Sequence, residues 1–119
     1  MTTDDFIQNA IDTGQSQGVA GLSTLQRAVF LVSELEVLCD MEGIDAFLDR
    51  YDANAFRDAA DLLSAAGAID TASSLLEIAS SMPNPQEAAL NRANGLVTSR
   101  AGYDYDALAR AVAQRLAQP

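Results

Sequence analysis

The chain has 119 residues, 49% of them hydrophobic, with 17 acids against seven basic residues, all arginine, and a formal net charge of −10. That length fits one domain with a core of its own, and that apolar share excludes wholesale disorder. The charge argues against direct binding to nucleic acid or to an anionic membrane.

In chain order, the stretch DDFIQNAIDT places Phe6, Ala10 and also Ile7 and Ile11 on one side of a weak helix. It fades into GQSQGVAG, which reads as a flexible joint. Residues 1–21 are therefore expected to be a weakly structured helix and joint, and 22–119 a single helical domain. From Leu22 the signal is firmer. Ser23 can cap a helix and Gln26, three residues on, completes a capping box. Leu25, Val29, Val32 and Cys39 form one stripe, widened by Ala28, Leu31, Leu35 and Leu38, so this helix is expected to be central and buried on most sides.

The spacing then predicts a short helix over GIDAFLDRY, with Ile44, Phe47, Leu48 and Tyr51 inward. ANAFRDAADLLSAA repeats the division, with Phe56, Ala59, Ala60 and Leu63 inward, Asp58 and Asp61 outward, and Gly67 as a left-handed stop. DTASSLLEIASSM gives another helix, with Asp70 as its cap and Ala72, Leu75, Leu76 and Ala79 as its face. After Pro83 and Pro85, Asn84 and Glu87 are expected to cap a helix that Asn94-Gly95 ends. Asp104 caps a last helix whose face is Tyr105, Leu108, Ala109, Val112 and Leu116, with Arg110 and Arg115 near the negative end of its dipole. Period-two alternation is absent. The expected class is all-α, a single compact domain of about six short helices around a buried central helix.

Chemistry is sparse. With no histidine and one cysteine, the commonest general base and the usual zinc sites are missing. No phosphate-binding loop, nucleophile elbow or dinucleotide fingerprint occurs, and no lysine is available for a Schiff base. Read as a calcium loop, DMEGIDAFLDRY puts Asp45 where glycine belongs and Tyr51 where a bidentate glutamate belongs. Asp45 and Asp49 lie on a polar helix face rather than in a cleft, so no catalytic residue, metal site or cofactor is expected. Cys39, on an apolar stripe, reads as core. Tyr103 and Tyr105 read as one ring in the core and one at the surface. The start MTTDDFIQNA lacks the basic and apolar regions of a secretory signal, and the longest apolar run, AVFLV, is too short to span a bilayer; a cytoplasmic protein is expected.

The acids remain. ELEVLCDMEGIDAFLDRYD, residues 34–52, holds seven of them and one arginine. Asp45 and Asp49 repel at i, i+4, whereas Arg57 is placed to pair with Asp61 at the same spacing. Mild repulsion accumulated on one surface points to charge with a use, against the plainer reading of a solvated face. The candidate surface is Glu42, Asp45, Asp49, Asp52, Asp58 and Asp61.

The middle of the chain also resembles a bacterial, all-helical, largely uncharacterised family named for the DNA-mimic protein nineteen. LEVLCDMEGIDAFLDRY and AADLLSAAGAIDTASSLLEIA carry the likeness, with Glu36, Gly43, Phe47, Leu63, Gly67, Ala68, Ala72 and Leu76 at matching places. It covers about residues 24–82 and departs from the family's Asn-Gly-Gly-Phe turn at Met41-Glu42-Gly43-Ile44. The resemblance implies a non-catalytic interaction protein whose acids imitate a DNA backbone and occupy a basic, DNA-binding partner, with a homodimer as one way to double the acid rows. A helical immunity-type or complex-subunit protein that binds through an apolar groove is the alternative. An enzyme using carboxylates is the third reading.

Overall fold

The computed structural model describes residues 2–118. Among them all regular structure is helical, in seven elements: α1 (Thr3–Gln17), α2 (Thr24–Met41), α3 (Ile44–Arg50), α4 (Ala53–Ala65), α5 (Ile69–Ser81), α6 (Glu87–Thr98) and α7 (Tyr105–Leu116). The seventh is the N-terminal segment, which is a full helix where the sequence shows only a weak one.

Helix α2 is the hub, packed against α1, α3, α4, α6 and α7. Its start is fixed as expected: the Ser23 hydroxyl accepts from Gln26 N, and the Gln26 side chain accepts from Ser23 N. Buried positions wrap all round its middle, from Ala28 to Val32 and again at Leu35, Leu38 and Cys39. Such a helix is stable only with neighbours on most sides. Phe47 of α3 and Phe56 of α4 are fully buried and meet edge to face, ring centres 5.0 Å apart, which ties the short α3 to the core.

Three boundaries differ from the sequence reading. α1 continues past Gly14 to Gln17 because Gly14 is itself a packing residue. A Cβ there would fall inside contact distance of the Phe30 ring, with Cε1 at 2.7 Å, so the helices approach closely only at glycine. α5 begins at Ile69 with Ala68 as its cap residue; Asp70 lies in the first turn and acts through the dipole, not as a cap. α6 starts after Gln86, without the expected Asn84 cap or a Glu87 capping box, and runs through Asn94-Gly95 to Thr98. Burial of Ala93 and Val97 against the core outweighs the local stop signal. Asp104 caps α7 by accepting from Ala107 N, and Gly67 is left-handed at φ 99°, both as expected.

Candidate functional site

The acids from Glu42 to Asp52 lie along the run from the end of α2, over α3, to the start of α4. Gly43, at φ 95°, turns the chain between α2 and α3. It has no side chain to cap α3, and Asn94 of α6 supplies the missing acceptor: its Oδ1 takes the Ile44 N–H at 3.0 Å. This explains why α6 passes through Asn94 instead of ending there. With Ile44 and Phe47 buried beneath it, α3 holds Asp45 and Asp49 outward at fixed positions.

The six candidate acids divide into two groups. Asp45 and Asp49 are exposed, and among the described residues no arginine lies within ion-pair distance of either. Glu42 meets Arg50 only loosely, at 3.7 Å, with both side chains more than half exposed. Asp52 is exposed and caps α4 by accepting from Ala55 N at 3.1 Å, which leaves its charge in place. The other two are answered. Asp58 is partly buried and accepts from Arg27 Nε at 2.9 Å, and Asp61 pairs with Arg115 at 2.6 Å. Arg57, expected to serve Asp61, donates to Asn54 Oδ1 instead. Asp52 and Asp58 share a shallow concavity of about 720 Å³ with Arg27, Arg50 and Arg57, so charge there is mixed, whereas Asp45 and Asp49 on α3 have no arginine paired to them among the described residues.

Beside that face stands a second set of acids, on the C-terminal half of α2. Each is held by a partner distant in sequence. Glu34 accepts from the Tyr51 hydroxyl at 2.8 Å, and Glu36 accepts from the Tyr103 hydroxyl at 2.5 Å. Arg100 grips Asp40 through both terminal nitrogens, at 3.1 and 2.7 Å, and reaches Glu36 through Nε at 3.1 Å. Its own backbone is left-handed, φ 52°, a conformation uncommon for a residue with a side chain. The Arg100 hydrogen bonds hold the Asp40 carboxyl below its ordinary value. Burial, then the bonds to Glu34 and Glu36, push the Tyr51 and Tyr103 hydroxyls well above theirs, so both remain donors. Sequence spacing does not reveal this set, because its bonds span 17 to 67 residues.

Two further hollows are more apolar. A small apolar cavity of about 80 Å³ lies between α1, α2 and α7, lined by Ile7, Val29, Leu108 and Val112 among others. A longer groove between α4 and α5, about 540 Å³, has Ala60, Ala72, Ile69 and Leu76 along it and Asp58 and Asp61 on its rim. Cys39 is buried beside α2's acids, and burial, with Asp40 adding, raises its thiol to about 12. Tyr103 packs on the core and Tyr105 is half exposed, donating to Asp4 at 2.7 Å. No cluster of three potential metal ligands occurs among the described residues, and no helix there is long and apolar enough to cross a membrane.

A family model described as DMP19-like protein matches residues 20–116, a wider span than the stretch that carries the sequence likeness and one that takes in α7. No curated protein and no solved structure matches the chain.

Proposed function

The chain belongs to the DMP19-like protein family, and from that premise we propose that it is a non-catalytic acidic interaction module that occupies a basic, DNA-binding protein in place of DNA. The observation that carries this reading is the outer face of α3, where Asp45 and Asp49 stand exposed and unanswered on a helix fixed from below by Phe47 and Asn94. Residues four apart advance about 6 Å along a helix, close to two nucleotide steps of about 3.4 Å on one DNA strand. With Glu42 before them and Asp52 after, the acids offer a row of negative charge to a groove shaped for phosphates. The mechanism is competitive exclusion, and it needs no catalytic residue, metal or cofactor. The working compartment is the cytoplasm, where such partners act, and a homodimer would set two rows side by side.

The test is capture from a lysate of the source cell, beside a version carrying Asp45→Asn, Asp49→Asn and Asp52→Asn. Asn still caps a helix well, so α4 keeps its start. A basic DNA-binding protein that is released by duplex DNA and ignores the Asn version supports the reading. A partner held equally by both versions through high salt contradicts it.

A second reading is favoured by the α4–α5 groove, where Ile69 and Leu76 are 59% and 45% exposed one above the other on α5. A partner seated there would be salt-tolerant and lost on Leu76→Asp.

A further inference from the structure

Val37 and Met41 are exposed on α2, 47% and 76%, although this helix is otherwise the core of the molecule. They stand one turn apart, so they form one outward strip. Successive helix residues turn by about 100°, which puts Glu34 on one flank of the strip and Asp40 on the other. Neither flanking acid is free to swing: Tyr51 holds Glu34, and Arg100 holds Asp40. The strip ends at Met41, where Glu42 and then α3 with Asp45 begin.

From this arrangement the geometry points to the outer face of α2 as a docking surface for a basic helix that carries aliphatic side chains between its cations. The inference rests on the reading above and narrows its partner. Charge complementarity selects the occupant. Arg100 answers Asp40, but Glu34 on the other flank is held by a neutral hydroxyl, and Glu42 and Asp45 lie past the end of the strip. The net negative charge they keep beside it repels an acidic helix, costs desolvation against a plain apolar one, and accepts one that is both basic and aliphatic. Pure imitation of phosphates gives Val37 and Met41 no role. A DNA-reading element does meet apolar surface between phosphate rows, the thymine methyl on the groove floor, so an aliphatic contact between cations suits such a partner.

The experiment uses the full chain, labelled with nitrogen-15, and two synthetic helical peptides of equal length and equal lysine count. One carries leucine on its contact face, the other serine at the same positions. The leucine peptide is expected to bind at least tenfold more tightly, about the change that one good apolar contact makes, and to shift amides in residues 34–45. Val37→Ser with Met41→Ser, both exposed and harmless to the core, should bring the leucine peptide down to the serine peptide's affinity. Equal binding of both peptides, absence of binding, or shifts centred on Ile69 and Leu76 would each overturn the inference. Asp45→Asn with Asp49→Asn reads the parent proposal separately: weakening both peptides alike supports the charge reading, and leaving both unchanged defeats it even where the leucine preference persists.

Discussion

Asn94 joins two helices with one hydrogen bond, and the bond matters because Gly43 leaves the Ile44 N–H with no local acceptor. Asn94→Ala should therefore lower stability by about 1 kcal/mol, the usual value of a lost side-chain cap, as read from urea unfolding. Asn94→Asp should recover most of it. Cys39 gives a residue-scale test with a definite pH window. Its thiol is raised from an ordinary value of 9.0 to about 12, chiefly by burial, so the folded state keeps its proton where the unfolded state loses it. The contribution to stability is whole below pH 9 and disappears as pH rises from 9 to 12. Native protein at pH 8 should be inert to a thiol reagent, with labelling tracking unfolding. Asp40 has the opposite sign. Its carboxyl is held low by Arg100, so that contribution is whole above the ordinary carboxylate value of 3.8 and is lost as pH falls from there through the lower folded value.

Helix α3 is seven residues long, and its two unpaired acids differ in position. Asp45 is in the first turn, where negative charge is favoured by the helix dipole, whereas Asp49 is next to the last residue, where it is not. Asp49→Asn should raise stability by about 0.3–0.5 kcal/mol through relief of dipole and i, i+4 repulsion, and Asp45→Asn should give no such gain. A gain in stability accompanied by a loss of partner binding would mark Asp49 as retained for function. Helix α1 offers the converse case, a glycine that the fold requires. Gly14→Leu drives a side chain into the Phe30 ring and should cost about 1–3 kcal/mol, seen as lost amide protection across Thr3–Gln17 while α4 remains protected. These two elements also mark where the sequence was readable. Periodicity places α4 and α5 because each buries a regular stripe, and α2 shows as an apolar run buried nearly all round its middle. Ser23 and Asp104 fix the starts of α2 and α7 through bonds made three residues away. Gly14 and Asn94 read locally as helix breakers. Their actual roles, a close approach to Phe30 and a cap for α3, are set by residues 16 and 50 positions distant, which periodicity does not register.

At the scale of the whole molecule, the net charge of −10 is not spread as a coat of equal acids. Arg27, Arg100 and Arg115 are committed to Asp58, to Glu36 and Asp40, and to Asp61, across 31 to 64 residues of chain. The sequence shows the excess of acid and the density in residues 34–52. It does not show which acids the fold answers, because every such pairing is tertiary. Among the acids the fold leaves unanswered are Asp45 and Asp49 on the outer face of α3, next in the chain to the strip of Val37 and Met41 on α2, with others such as Asp70, Glu77, Glu87 and Asp106 dispersed over α5, α6 and α7. The most direct test of the account is displacement of a labelled duplex from the purified basic partner, followed by fluorescence anisotropy as this protein is added. The account predicts full displacement, with a midpoint that rises at least tenfold for Asp45→Asn with Asp49→Asn, about 1.4 kcal/mol or more. A duplex that stays bound, or one displaced equally well by the Asn version, would contradict it.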